Sequence, residues 1–353
     1  MRLRLHQISV DLDYEMADVV TAVVQRLACR AEDLGPIELR RRSIDARPRR
    51  AAPCFVLSVE VDYRGNTPPQ TAVGWVEPVE PKTDEPARSR GMSLRSFRPV
   101  IVGAGPAGLL AALTLAEAGA RPRLIERGDP VDERRNRVEK FWKEGVLDAE
   151  SNVLYGEGGA GLFSDGKLTA RSKERGAVRE FLEILVACGA SQEILIDAEP
   201  HLGTDALVEI IPALRQRILS LGGEIAHRTC LESIHQEDGR LRGVVLGGQQ
   251  METEACLLAT GHSARDVYRM LAESRVPLEA KPFAMGVRVE MPQSSIDRAQ
   301  FGRWAGHPRL GPASFRLTRN GEGNARDCYS FCMCPGGVVM ACASSPGEIT
   351  TNG

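Results

Sequence analysis

Three glycines at a fixed spacing are the residues of this sequence best suited to binding a phosphate group. Gly103, Gly105 and Gly108 form the pattern G-x-G-x-x-G directly after the apolar run at residues 99–102. The first glycine allows a tight turn, the second lets backbone N–H groups approach a pyrophosphate, and the third lets the next helix pack close to the sheet. The start of that helix favours negative charge. The pattern therefore predicts a dinucleotide-binding turn.

The acidic residue expected beside such a turn is Glu126, at the end of a second apolar run. Its carboxylate would accept hydrogen bonds from the hydroxyls of an adenosine ribose and would repel a 2′-phosphate. Between the two runs, Leu109, Ala112 and Leu113 recur at helical spacing before Gly119, which predicts a βαβ unit. The predicted pyrophosphate site consists of Gly103, Ala104, Gly105, Pro106, Ala107 and Gly108.

A second glycine-rich segment lies at residues 155–171, where Gly156, Gly158 and Gly161 repeat the pattern. We do not interpret it as a second dinucleotide turn, because Glu157 would bring negative charge to the phosphate and the sequence FSDGK breaks the helix that should follow. Glycines have no side chain, so a flat ring can approach the backbone of this segment closely. The polar residues that follow the glycines could contact the ring or a substrate. The predicted ring-side residues are Gly158, Gly159, Ser164, Asp165 and Lys167.

Composition indicates a globular protein of one to three domains. Apolar residues make up 42% of the 353, and a net charge of −2 gives no general attraction to nucleic acid or an anionic membrane. No apolar run is long enough to span a bilayer and the N-terminus has no secretory h-region, so we expect a cytoplasmic protein without a membrane partner.

The cysteines do not form a recognisable metal motif. Cys328, Cys332, Cys334 and Cys342 have the spacing C-x₃-C-x-C-x₇-C, which lacks the paired C-x₂-C knuckles of a zinc site. We therefore predict no metal and interpret these residues as core thiols. A redox role for one of the thiols would need a lowered pKa.

The N-terminal segment, residues 1–62, is predicted to be a small ferredoxin-like α+β module with the order β-α-β-β. Its helix is expected at residues 16–31 and its strands at residues 3–10, 37–44 and 54–61. The next stretch, residues 63–95, is rich in proline and charge and is predicted to be a linker.

Two arginine-rich stretches leave alternatives open. The sequence RRRSIDARPRR, residues 40–50, is either a solvated loop or a binding site for RNA phosphates or for an acidic partner protein. The arginines concerned are Arg40, Arg41, Arg42, Arg47, Arg49 and Arg50. The second stretch holds Arg134, Arg135 and Arg137 on a helix predicted between Asp129 and Gly145, where a solvated face is favoured over contact with a diphosphate.

The rest of the chain is divided into a Rossmann-type nucleotide domain, residues 96–270, and a β-rich substrate domain, residues 271–353. In the substrate domain, KPFAMGVRVEMPQ (residues 281–293) and SFCMCPGGVVMACASSP (residues 330–346) are predicted to form strands of another layer. In the first domain we predict helices at residues 177–187 and after residue 204, the latter interrupted by Pro212. A β-meander of three strands at residues 225–235, 241–246 and 251–259 should follow, its last strand closing the parallel sheet. His201 and His262 flank turns and are candidate proton donors.

These motifs together resemble a known family. VIVGAGPAGLLAALTLAEAG with LIERG, YGEGGAGLFSDGKL, HLGTD, LLATGHSARD, KPFAMGVRVE and FCMCPGGVV are similar to the bacterial FAD-dependent dehydrogenases of the glutathione-reductase-type flavin fold. The resemblance covers nearly the whole chain, including SIDAR in the N-terminal module. It implies FAD as the cofactor, with Arg127, Thr260 and Gly261 bordering the adenosine half and the glycine-rich segment beside the isoalloxazine ring.

The sequence departs from the family in two places. Met291 stands where a histidine is expected after VRVE. The chain also stops at residue 353 within the expected substrate domain, so we expect that domain to be incomplete at its C-terminus and the chain to be a fragment.

The predicted function is an FAD-dependent oxidoreductase, a dehydrogenase acting on a small-molecule substrate, with NADH or NADPH as a candidate electron donor. The catalytic candidates are Lys167, His262, Cys332 and Cys334. Two alternatives stay open: an RNA-binding or RNA-modifying flavoprotein that uses the basic N-terminal stretch, and a non-catalytic flavin-binding or truncated relic.

Overall fold

A computed structural model describes residues 1–47, 49–65, 74–80, 94–164, 166–168, 174–202, 204–323, 325–330, 333–348 and 350–352. Its α-helices are α1 (Met16–Leu27), α2 (Pro106–Glu117), α3 (Val131–Glu144), α4 (Arg175–Ala187), α5 (Thr204–Ser220), α6 (Arg265–Glu273) and α7 (Gln293–Phe301). Its first seven strands are β1 (Arg2–Val10), β2 (Leu34–Asp45), β3 (Cys54–Tyr63), β4 (Val76–Pro78), β5 (Val100–Val102), β6 (Arg123–Ile125) and β7 (Glu224–Ala226). The later strands are β8 (Leu231–Glu237), β9 (Arg240–Leu246), β10 (Gln249–Glu252), β11 (Cys256–Leu258), β12 (Thr318–Arg319), β13 (Cys328–Tyr329), β14 (Met340–Ala341) and β15 (Thr351–Asn352).

The N-terminal module is one antiparallel sheet in the order β2-β3-β1-β4, with α1 packed on it. This is the strand order of a ferredoxin-like sheet, as predicted. Strand β4 lies inside the stretch predicted to be a linker. It pairs with β1 from Leu3 to Leu5, and Val76 adds to the module's core. The domain boundaries at residues 62, 95 and 270 otherwise stay predictions.

The nucleotide domain is built on a parallel sheet in the order β11-β5-β6-β7. Strand β11 closes it beside β5, as predicted. The predicted meander has different bounds, because the first and last of its three runs each contain two strands. The first run bends where Arg228 adopts a φ of 51°, and the last bends where the Thr253 hydroxyl donates to the Ala255 carbonyl. The meander is therefore β8-β9-β10.

The helices of this domain pack against the sheet through one apolar core shared by α2, α4 and α5. Helix α3 ends at Gly145, where φ is 72°, as its sequence predicts. The prediction that Pro212 interrupts α5 is wrong, because the helix continues through it to Ser220. Over the residues described, no helix combines the length and apolarity that crossing a lipid bilayer requires.

The C-terminal segment contains few regular strands. Among the described residues, those after α7 form only the short pairs β12–β13 and β14–β15. The strand predicted at residues 281–293 is irregular up to the start of α7, and its alternating apolar side chains, such as Phe283 and Val287, are more than four-fifths exposed. The prediction of a strand there is wrong in this structure, because the segment has no ladder partner among the residues described.

Residues 293–313 instead complete the core of the N-terminal module. Phe301, Leu310 and Ala313 are buried in the same cluster as β1 and β3. The guanidinium of Arg309 donates to the Tyr14 carbonyl at 2.9 Å. A region predicted to belong to the substrate domain therefore packs on the opposite end of the chain.

The arginine-rich stretch of the N-terminal module is largely neutralised by this chain's own carboxylates. Four of its six arginines form ion pairs: Arg40 with Glu60, Arg42 with Asp197, and both Arg47 and Arg50 with Asp45. Binding of nucleic acid through this stretch stays a prediction, and its free charge is smaller than the sequence suggests.

A buried carboxylate organises the polar face of the same sheet. Glu60 on β3 is 4% exposed, and its oxygens accept hydrogen bonds from Arg2, Arg4 and Arg40 at 2.7–3.0 Å. Burial alone would raise the pKa of Glu60, but the three guanidinium groups outweigh it and lower that pKa to about 2.

We expect Glu60 to make the stability of the module depend on pH, with stability lost in acid. A depressed pKa stabilises the fold above the carboxylate's ordinary pKa, so the contribution should be complete above about pH 5 and lost as the pH falls to about 2. Urea unfolding of the parent and Glu60→Gln at several pH values measures this. The difference in unfolding free energy should shrink steadily from pH 5 to pH 2; a constant difference would contradict the assignment.

Candidate dinucleotide site

In the glycine turn, two glycines have no room for a side chain and one has room for a Cβ. Gly103 has a φ of 102°, and a Cβ there would lie 2.4 Å from the Ala259 carbonyl oxygen. A Cβ on Gly108 would lie 1.8 Å from the carbonyl oxygen of Gly103. By contrast, a Cβ on Gly105 would meet no atom closer than 3.8 Å. The second glycine is therefore the one whose bare backbone a ligand can use.

Helix α2 begins at this turn, with Gly105 as its N-cap and Pro106 at its first position. Its first turn contains no acidic side chain. The N–H groups at the start of a helix have no intrahelical partner and carry partial positive charge. They are therefore available to an anionic ligand.

A cavity of about 290 Å³ opens at the carboxyl ends of β5, β6 and β11. The predicted residues that line it are Gly103, Gly105, Pro106, Ala107, Glu126, Arg127, Gly159, Thr260, Gly261 and His262. Other predicted residues, which are described but do not line it, are Ala104, Gly108, Gly158, Ser164, Lys167 and Cys334. Asp165 and Cys332 lie outside the described residues.

The carboxylate of Glu126 joins three separate loops. Oε2 accepts a hydrogen bond from the Ala104 N–H at 2.7 Å, and Oε1 accepts from the N–H groups of Gly128 and Gly156, both at 2.9 Å. The side chain is 5% exposed. Because each carboxylate oxygen has two lone pairs, Oε2 can still accept from a ribose hydroxyl. The sequence predicts the ribose role of this residue but gives no sign of its role in joining the loops.

The end of the cavity beyond Glu126 is a stacked, hydrogen-bonded wall. The Arg127 guanidinium lies 4.7 Å from the centre of the Tyr155 ring and pairs with Asp266. The Tyr155 hydroxyl donates to the Ser263 carbonyl at 2.6 Å. These contacts tie the segment after β6 to the segment after β11, both of which border the cavity.

The glycine-rich segment forms the opposite wall through close backbone contacts. Gly158 donates its N–H to the Ala104 carbonyl at 2.8 Å. Gly159 has a φ of 64°, and a Cβ there would lie 3.2 Å from the Cα of Gly105. The segment continues as a short 3-10 helix, Ala160–Phe163, which agrees with its rejection as a second dinucleotide turn.

The negative charge in this segment is directed away from the cavity. Glu157 is fully buried, and its Oε2 accepts from the Val131 N–H at 3.0 Å and from the Arg215 guanidinium at 2.8 Å. It thereby satisfies an N–H at the start of α3.

A buried arginine that the sequence analysis assigned to a solvated face holds this segment. Arg134 on α3 has no exposed surface, and its guanidinium donates to four carbonyl oxygens at 2.7–2.9 Å. Those carbonyls belong to Asn152, Val153, Glu157 and Gly159. Burial lowers the pKa of Arg134 to about 10, so it stays charged at neutral pH. The prediction of a solvated face is wrong for this residue, whereas Arg135 is exposed.

Of the three catalytic candidates that the structure describes, Lys167, His262 and Cys334, only His262 lines the cavity. It is exposed, and its Nδ1 lies 2.9 Å from the Ser263 hydroxyl. A thiol missed by the sequence analysis, Cys230, also lines the cavity. Burial and the neighbouring Glu150 raise the pKa of Cys230 to about 11, which opposes formation of a nucleophilic thiolate. Over the residues described, no group of three or more potential ligands could hold a metal ion.

Comparison with known proteins decides which dinucleotide the turn serves. Residues 97–257 match the family described as "FAD binding domain". Residues 282–353 match "FAD-dependent protein, C-terminal domain-like", and residues 2–62 match a domain of unknown function, DUF8436. Over residues 97–257 and 282–353 the chain is therefore similar to FAD-dependent proteins.

Individual relatives cover this chain to different extents. An uncharacterized protein of Clostridium beijerinckii is 41% identical over 360 residues, covering 100% of this chain and 66% of the relative. Protein FixC of Salmonella typhi is 26% identical over 58% of this chain and 46% of its own length. The chain thus spans less than two thirds of either. The solved structure of Thermovibrio ammonificans THI4 is 19% identical, with a TM-score of 0.34, over 51% of this chain and 64% of that one.

The residues around the cavity fit FAD. The open space at Gly105 and the first turn of α2 suit a pyrophosphate, and the remaining lone pair of Glu126 suits an unphosphorylated ribose. Arg127, Thr260 and Gly261 line the same cavity, and their assignment to the adenosine side stays a prediction. The ring-side assignment of residues 158–167 stays a prediction.

We expect Gly105→Val to abolish FAD binding without unfolding the protein. Gly105 has an extended backbone, φ −72° and ψ −179°, which valine adopts readily, and its Cβ has space. The branched side chain would then occupy the position of the pyrophosphate. Bound FAD per chain and thermal unfolding are the measurements. Gly108→Ala is the matched comparison: it should destabilise the fold, because its Cβ overlaps the Gly103 carbonyl. Normal FAD content in Gly105→Val would contradict the assignment.

We expect Arg134→Met to destabilise the domain and weaken FAD binding. The change leaves four carbonyl groups without their donor and removes the cation beside the carboxylates of Glu126 and Glu157, of which Glu157 keeps its ion pair with Arg215. Loss of such a buried charge is worth on the order of 3–5 kcal/mol. Urea unfolding and flavin content are measured with Arg135→Met, an exposed position on the same helix, as the control. Equal stability of the two variants would show that Arg134 does not hold the segment.

Proposed function

We propose that this chain acts as an FAD-dependent oxidoreductase, a dehydrogenase of a small-molecule substrate. The observation that supports the proposal is the common cavity faced by the Gly105 turn, the start of α2 and Glu126. These three features meet the chemical needs of a pyrophosphate and an adjoining ribose. We keep the cytoplasm as the expected compartment.

The residues of the chain have distinct tasks in this proposal. The start of α2 holds the pyrophosphate, Glu126 holds the ribose, and the wall of Arg127 and Tyr155 encloses the adenosine end. When bound, FAD supplies two-electron transfer chemistry, so the protein needs to position groups and adjust electrostatics rather than provide a nucleophile.

The ring would lie on the side of Gly159 and Ala160, from which the chain runs to Lys167. Gly159 and Ala160 line the cavity, and the described residues 161–164 and 166–168 follow them along the chain. His262 is the candidate proton donor that lines the cavity. A hydrogen bond between its Nδ1 and the Ser263 hydroxyl would orient its ring.

The test is a visible absorption spectrum of the purified protein, followed by anaerobic addition of NADH and NADPH separately. We expect FAD to be bound and its absorbance to be bleached by NADH or NADPH. Gly105→Val is the control, which should remain folded and colourless. FAD that is bound but reduced by no biological donor would favour a non-catalytic flavin protein, and a folded parent that binds no FAD would refute the proposal.

A further inference from the structure

The N-terminal module is joined to the nucleotide domain through the edge strand β2. The N–H of Arg42 donates to the Ile196 carbonyl at 2.8 Å, and the Ala198 N–H donates to the Arg42 carbonyl at 2.9 Å. These two bonds form a parallel bridge between Arg42 and Asp197. The sheet of one unit therefore continues into a segment of the other.

The same arginine adds an ion pair to this bridge. Its Nε and Nη2 lie 2.7 and 3.1 Å from the two carboxylate oxygens of Asp197, and Nη2 lies 3.2 Å from Glu193. The Arg42 side chain is only 19% exposed, and its guanidinium lies 5.7 Å from the Phe55 ring. Such a bidentate, partly buried pair is stronger and more directional than an ordinary surface ion pair.

The segment that receives Arg42 is connected on its other side to the glycine-rich wall. The Leu168 N–H donates to the Pro200 carbonyl at 3.1 Å, and the Leu202 N–H donates to the Gly166 carbonyl at 3.0 Å. Lys167 and His201 form the bridge between these bonds. Ile194 is buried in the same apolar core as Leu162 and Phe163. Residues 193–202 thus lie between the N-terminal module and the wall that continues from Ala160.

We propose that the N-terminal module is part of the flavin site and that Arg42 is its positioning residue. By holding residues 193–202, Arg42 fixes residues 160–164 and 166–168 in the arrangement that FAD meets. The inference rests on the proposed function, because that function places the flavin ring beside residues 160–168.

The physical basis is the conformational entropy of the wall. Residues 160–168 include Gly161 and Gly166, and glycine has more backbone freedom to lose than any other residue. If the wall is already ordered, FAD does not bear the free energy of ordering it when it binds. Loosening the bridge should therefore weaken FAD binding, although Arg42 contributes nothing to the cavity lining.

The experiment compares Arg42→Ala with Arg41→Ala in the full chain. Arg41 is the adjacent arginine on the same strand, and it is exposed. We expect Arg42→Ala to raise the Kd for FAD about 3- to 10-fold, the effect of an ion pair of roughly 1 kcal/mol. It should also alter the fluorescence of the bound flavin and speed hydrogen exchange at residues 160–168 and 193–202. Arg41→Ala should change none of these quantities.

Two further variants test whether the effects of Arg42→Ala come from the lost ion pair rather than from general unfolding. Asp197→Asn removes the same ion pair from the other unit and should reproduce the effects of Arg42→Ala. Arg42→Lys keeps the charge but loses the bidentate geometry, so it should give an intermediate Kd.

The possible outcomes separate this inference from the proposed function. Faster exchange confined to residues 193–202, with an unchanged Kd, would overturn the role of Arg42. If FAD fails to protect residues 160–168 of the parent from exchange, the placement of the ring is wrong, whatever Arg42→Ala does. Both the placement of the ring and the role of Arg42 are supported if FAD protects residues 160–168 of the parent from exchange and Arg42→Ala raises the Kd and speeds exchange at both segments.

Discussion

The cavity depends on one buried positive charge that has main-chain carbonyls as its hydrogen-bonding partners. Placing a guanidinium in the protein interior is unfavourable by several kcal/mol unless its donors are satisfied. At Arg134 four carbonyls satisfy them: two belong to the glycine-rich segment that forms a wall of the cavity, and two belong to the residues just before it. The cation also balances the two buried carboxylates beside it. The shape of the wall and the electrostatic balance of the interior are therefore set by the same side chain.

The core of the site could be predicted because it is local in sequence. The βαβ unit, its glycine turn and Glu126 fall within a short stretch, and each glycine has a steric reason for its position. Arg134 was missed because its hydrogen-bonding partners are carbonyls, which have no sequence signature. One signal was present: Val131 and Val138 lie three residues before it and four after it, so Arg134 shares the buried face of α3.

The features that sequence reasoning missed depend on partners far along the chain. The arginine-rich stretch looked free because Asp197 is more than 150 residues away, and β4 lies in a proline-rich stretch that local propensity assigns to a linker. Residues 283–289 alternate like a strand, yet a strand also requires a neighbour, and none of the described residues supplies one. An alternating apolar pattern indicates which side chains share a face of a strand, but it does not supply the neighbouring strand to which the backbone must hydrogen-bond.

With the ribose role proposed for Glu126, its three N–H partners restrict how ribose recognition can change during evolution. In dinucleotide enzymes, preference for a phosphorylated ribose is commonly altered at this acidic position, by removing negative charge. Here the same carboxylate fastens the glycine turn, the loop after β6 and the glycine-rich segment to one another. Any replacement that alters the ribose preference also releases those loops, so selectivity and architecture cannot vary independently at this site.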